Sequence, residues 1–217
     1  MNKRYITHAS SRLPVRELTE DERKLLRKNF SPLAARRLTS LSLILGDLTK
    51  DAPASPDDEW IFASSYGGSI SLEQYLRSFP NPSPLHFQNS IQPGPIDLVN
   101  VARQQPARQL IPLIGAENLL GEALLTALIS PVDTMHLIGG EEHTNWAADH
   151  QLGSQTTYGF YLRLSTAPQN TIGELTFEPN TPPPSPLSTE DAIPLLDARK
   201  PLAFTLPERG VIRLQWS

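Results

Sequence analysis

The chain has 217 residues, a formal net charge of −4, 39% hydrophobic residues, 21 prolines and no cysteine. That length supports one sizeable core, and the missing cysteine excludes disulfides, thiolate metal sites and a cysteine nucleophile. The charges form no basic stripe of the kind that neutralises nucleic-acid phosphates, no run reaches the about 20 apolar residues needed to span a bilayer, and Met1-Asn2-Lys3-Arg4 leads into no apolar signal core, so a cytoplasmic protein that does not bind nucleic acid is expected.

Residues 1–18 read as a short strand or arm. Thr19 with Glu22 fits a capping box, in which each side chain satisfies a free N–H at a helix start, and predicts a charged helix over about 20–28. Ser31-Pro32 restarts the helical pattern, with Ser as cap and Pro at the first helical position, where its missing N–H is not needed. Ala34, Leu38, Leu41, Leu45 and Leu48 draw one apolar stripe and predict a helix from Pro32 to Lys50. After the Pro/Asp linker 51–59, Trp60 to Ser64 reads as a buried strand that runs into the turn Ser65-Tyr66-Gly67-Gly68. An amphipathic helix follows, with Leu72, Tyr75, Leu76 and Phe79 on one face.

Pro80 to Pro95 reads as irregular, Ile96 to Gln104 as a helix, and Arg108 to Ile114 as a buried strand. Ala116 to Ile129 has a broad apolar face and is the second strong helix. Thr134 to Ile138 reads as a strand closed by Gly139-Gly140. Thr156 to Ser165 alternates and suits a half-exposed antiparallel strand, with Thr171 to Glu178 as its neighbour. Pro182 to Pro186 is a stiff connector and Val211 to Trp216 a terminal strand. Helices alternating with buried strands, then a strand pair, predict a layered α/β domain with helices covering a mixed sheet.

Chemistry-bearing groups are sparse. Glu141-Glu142-His143, with Asp149-His150 nearby, have residue types suited to zinc or manganese. Their spacing matches no ligand pattern and the stretch reads as a surface loop, so no metal or cofactor site is assigned. An acyl-processing enzyme built on His143, Glu141 or Glu142 is the alternative class of function. Ser64 and Ser65 form no nucleophile elbow, and Gly67-Gly68 lacks the Lys and further glycines of a phosphate loop.

The stretch from Trp60 to Glu141 orders its elements as strand, Gly-rich turn, helix, irregular segment, helix, strand, Gly corner, long helix and strand. With Ile61-Phe62-Ala63-Ser64-Ser65-Tyr66-Gly67-Gly68, Ser83-Pro84-Leu85-His86-Phe87-Gln88-Asn89-Ser90-Ile91 and Leu113-Ile114-Gly115-Ala116-Glu117-Asn118-Leu119, it resembles the N-terminal half of a ketoacyl synthase of the thiolase fold. It looks most similar to the ketosynthase-like chain length factors of aryl polyene biosynthesis. The likeness covers about two-fifths of the chain well, and the rest by element order.

The resemblance implies one truncated thiolase-like domain over 1–217: N-terminal arm and helices 1–59, core 60–178, Pro-rich connector and terminal strand 179–217. It places Gly115, or Ala116 in another register, where active synthases carry their cysteine, and neither can form a thioester. Gly115 also has a plainer reading, as a glycine required for close helix–strand packing. Glu117 either faces the cavity or is a helix N-terminal acid favoured by the dipole. With Leu119, these residues would form the pseudo-active site. Phe87, Gln88, Asn89, Ser90 and Ile91 would form the dimer interface, or else an ordinary packed loop. None of His8, His86, His136, His143 and His150 matches the family's catalytic histidine motifs. The implied function is a catalytically inactive subunit that pairs with an active ketosynthase and helps shape the cavity for a chain carried by acyl carrier protein. A purely structural scaffold is a further alternative.

Overall fold

The computed structural model describes residues 3–52, 54–115, 118–181, 184–206 and 209–217. In chain order its elements are β1 (Lys3–Val15), α1 (Glu20–Arg27), α2 (Pro32–Ala35), α3 (Ser40–Leu48), β2 (Glu59–Ala63), α4 (Ser69–Arg77), α5 (Pro84–Ser90), α6 (Gly94–Arg103), β3 (Gln109–Leu113), α7 (Leu119–Ile129), β4 (Thr134–Glu141), α8 (Asn145–Asp149), β5 (Thr157–Ser165), β6 (Gly173–Pro179), α9 (Thr189–Asp197), β7 (Leu202–Leu206) and β8 (Gly210–Trp216). The strands form one eight-stranded sheet in the order β3-β2-β4-β5-β1-β6-β8-β7.

β2 pairs in parallel with both β3 and β4, whereas the other pairings are antiparallel. The chain leaves β2 in one direction to reach β3, then returns across β2 to reach β4. Two right-handed crossovers in opposite directions put their helices on opposite faces of the sheet. One face therefore packs α7 and α9 over Ile61, Leu137, Phe160, Leu162 and Leu214. The other packs α1, α3 and α6 over Trp60, Phe62, Ile138 and Tyr161. The layered α/β architecture expected from the alternation is the one observed.

The local signals account for many helix starts. Thr19 and Glu22 make the full capping box. Ser31 accepts from Ala34 N–H, with Pro32 at the first helical position. The helix expected from Pro32 to Lys50 is instead two helices, α2 and α3. Thr39 caps a second start by accepting from Ser42 N–H (3.4 Å), and Glu142 accepts Leu41 N–H beside it. A hydroxyl cap and a buried carboxylate compete with continuation of the helix.

Other expectations need correction. The segment 80–95 contains the helix α5, begun by the Ser83 cap and Pro84. β3 is an exposed edge strand rather than a buried one, with Gln109 and Pro112 at the surface. β4 does not end at Gly139-Gly140 but runs on to Glu141. There Gly139 is needed for close approach: a Cβ would meet the Ala63 carbonyl oxygen and the Phe160 ring at 2.6 Å. β5 is buried over most of its length, not half-exposed. β6 is not its neighbour, because the 13-residue β1 lies between them and pairs with both. Of the Pro-rich connector, residues 182–183 lie outside the described residues. Beyond it is the unexpected helix α9, capped by Ser188 on Asp191 N–H.

Candidate functional site

The ends of β2 and β4 lie side by side, and the polar residues following them meet at one end of the sheet. Ser65 holds two segments together there. Its N–H donates to Glu141 Oε1 (2.5 Å), and its hydroxyl donates to the carbonyl of Gly115. The corner after β3 and the end of β4, far apart in sequence, are thus brought together by one residue, through its backbone N–H and its hydroxyl. Ser64 Oγ donates to Glu141 Oε2 (3.0 Å), Tyr66 N–H reaches the same oxygen (3.2 Å), and Gly67 N–H donates to Ser64 Oγ (2.8 Å). The turn that the sequence marks by its glycines is therefore organised around a buried carboxylate.

Glu141 is 3% exposed and borders a cavity of about 260 Å³ with Ser65, Tyr66, Gln155, Tyr158 and Glu190. Burial raises its pKa from 4.5 to about 7, against the opposing hydrogen bonds from Ser65, Ser64 and Tyr66, and the charge of Glu142 adds to the rise. Burial likewise pushes the Tyr158 phenol well up. The expectation that Glu141-Glu142-His143 is a surface loop is corrected here, because all three are buried.

Glu142 faces the opposite layer. Its Oε2 accepts from Leu41 N–H (2.9 Å) and its Oε1 from Ile70 N–H (3.0 Å). One carboxylate thus joins the first turns of α3 and α4, where the helix dipoles favour negative charge. Burial raises its pKa, opposed by those backbone donors. His143 lies close to the Ser154 carbonyl through Nδ1 (3.1 Å) and to Asn145 through Nε2 (3.2 Å). Among the described residues no three His, Asp or Glu side chains are grouped to hold a metal ion.

At the expected pseudo-active corner, Ala116 and Glu117 lie outside the described residues. Gly115 follows β3, and a Cβ there would meet Leu119 Cδ1 at 3.9 Å, an ordinary contact. Close packing therefore does not demand glycine at 115. Leu119, the first residue of α7, is buried in the core. Of the expected interface residues, Phe87 and Ile91 are each 50% exposed and Gln88 is exposed, Ser90 is half-buried, and Asn89 is buried beside Gly68 and Gly94. Ile114, just after the edge strand β3, is also exposed.

Sequence reasoning missed a buried network at the opposite end of β2 and β4. His136 sits between Asp58 Oδ2 (2.9 Å) and the Tyr161 hydroxyl (2.8 Å) and stacks on Trp60 at 4.2 Å between centroids. Burial lowers its pKa despite Asp58. The two ring nitrogens are both engaged, by Asp58 and Tyr161. Among the described residues, no helix is long and apolar enough to cross a membrane.

No protein-family model and no curated protein matches this sequence. Solved structures do. A chain of the ketosynthase (ApeO) in complex with its chain length factor (ApeC) from Xenorhabdus doucetiae superposes with a TM-score of 0.63 at 15% identity, covering 98% of this chain and 99% of that one. A beta-ketoacyl synthase from Burkholderia phymatum STM815 superposes with a TM-score of 0.53 at 12% identity, covering 83% of this chain and 65% of that longer one. At such identities the likeness is one of architecture, and the chain has the thiolase-like α/β fold of the ketosynthases.

Proposed function

We propose that this chain is a non-catalytic, chain-length-factor-like subunit that pairs with an active ketosynthase. In that pairing it bounds the cavity in which a polyene chain grows on acyl carrier protein, in aryl polyene biosynthesis. The observation that carries the reading is a ketosynthase fold in a sequence without cysteine. A thiolate at the strand-to-helix corner is activated by the helix dipole and neighbouring N–H groups. Here the described residue at that corner is Gly115, where a Cβ would meet only Leu119 at ordinary contact distance among the described residues. The partner supplies the nucleophile and the histidines.

The edge position of β3 and the exposure of Phe87, Ile91 and Ile114 support a partner docking on this chain. An obligate interface of this kind buries on the order of 2,000 Å² or more. Co-expression with a ketosynthase from a neighbouring gene, followed by size-exclusion chromatography, tests the pairing. A stable heterodimer that condenses malonyl units is expected, with no turnover by the isolated chain. Turnover by this chain alone would overturn the reading. Placing a bulky side chain at the corner with Gly115→Phe separates a cavity role from pure scaffolding. A shortened product supports the cavity role, and an unchanged product from weaker assembly supports the scaffold.

A further inference from the structure

From Arg23 to Gly46 the chain carries Arg23, Lys24, Arg27, Lys28, Arg36 and Arg37 and no acidic residue, within a protein of net charge −4. The fold gathers Arg23, Arg27, Arg36 and Arg37 around one cavity of about 290 Å³ between α1, the α2–α3 turn and the starts of α4 and α5. No Asp or Glu lines it. Among the described residues Arg23, Arg36 and Arg37 make no ion pair, and Arg27 reaches Glu20 only at 3.5 Å on the exposed side of α1. The nearby Glu142 feels the charge of Arg23, but it is fully buried and already bonded to Leu41 and Ile70.

We propose that this cavity is a binding site for the phosphate group of a phosphate ester. Guanidinium forks match phosphate oxygens in pairs, and several of them converging on one space favour a multiply charged oxyanion over a single carboxylate. Ser40 and Ser71 line the cavity from the first turns of α3 and α4 and add hydroxyl groups to its wall. The cavity far exceeds the about 30 Å³ occupied by one water, so it holds a phosphoryl group with part of its ester. Leu38, Leu43 and Leu85 supply apolar walls for that part. This site does not depend on the heterodimer reading.

Calorimetric titration of the full chain with inorganic phosphate in low-salt buffer tests the proposal. Saturable binding with a dissociation constant of about 1 mM or tighter is expected, weakening as chloride screens the charges. The exposed double substitution Arg36→Gln/Arg37→Gln weakens it by about tenfold or more. Arg209→Gln, which removes a cation paired with Glu122 elsewhere, leaves it unchanged. Thermal melting of each variant without phosphate checks that folding is retained. Titrations with a phosphomonoester and a phosphodiester of one alcohol then distinguish a free metabolite from a phosphate carried on a prosthetic arm. Absence of saturable phosphate binding, or binding indifferent to the double substitution in a folded variant, overturns the site.

Discussion

Replacing Glu141 by Gln removes a carboxyl whose ionisation the folded state resists. Its pKa rises from 4.5 to about 7 on folding, mainly through burial. A folded pKa above the unfolded one means that the native state holds its proton more tightly. Stability is therefore fully present below about pH 4.5 and is lost as pH rises through about 7. At 1.36 kcal/mol per unit, the loss approaches about 3 kcal/mol by about pH 8. Glu141 is almost completely buried, so solvent screening does not reduce this figure much. Glu142 shifts in the same direction, whereas His136 is depressed and contributes the opposite slope below its unfolded pKa. The comparison of Glu141→Gln with wild type cancels the His136 contribution and isolates Glu141 together with its coupling to Glu142. Guanidinium unfolding of the two proteins from about pH 5 to about pH 8 is the assay. Wild type should lose about 2.5 kcal/mol more than the variant across that window. Parallel stability–pH curves would refute the burial argument, whatever the absolute stability of the variant.

The remaining predictions concern packing and docking. Gly115→Ala should be neutral or stabilise by up to about 1 kcal/mol, because its Cβ meets ordinary contacts and the unfolded chain loses freedom. Gly139→Ala should destabilise by about 3 kcal/mol or more, since backbone and a core ring both stand in the way; thermal or chemical melts check the pair. Glu142→Ala strands the Leu41 and Ile70 donors and should cost about 2–5 kcal/mol, read from the denaturation midpoint. Phe87→Glu with Ile91→Glu should leave the isolated chain folded and abolish heterodimer elution with a ketosynthase, because both side chains are exposed in this chain.

Elements with a local cause were legible. The Thr19–Glu22 box, the Ser31-Pro32 start, the apolar face of α7 and the strands β2 and β4 each follow from short-range chemistry. What the sequence hid was set by distant partners. β1 lacks clean alternation and becomes a long strand because β5 and β6 both offer it a ladder. β3 reads as buried from its apolar residues, yet the topology leaves it at the edge, where Pro112 is tolerated. α9 carries Pro194 and follows a Pro-rich run, so its Ser188 cap was overlooked. The corner glycine and the interface segment came from resemblance. No local pattern announced that Glu141, Glu142 and His143 would be buried, since such residues are seldom buried unless paired.

The bonding of that triplet also weighs on the alternative of an enzyme built from it. Glu141 accepts from Ser65, Ser64 and Tyr66, and so holds the turn after β2. Glu142 divides its oxygens between two helix starts. The His143 N–H donates to Thr157 Oγ1, and its ring lies between the Ser154 carbonyl and Asn145. A general base must present a free lone pair to substrate, and a ligand triad must converge on one point. Here three consecutive side chains diverge, each tying a different segment to the end of the sheet. Their hydrogen bonds hold the β2 turn, two helix starts and the approach to β5 in register.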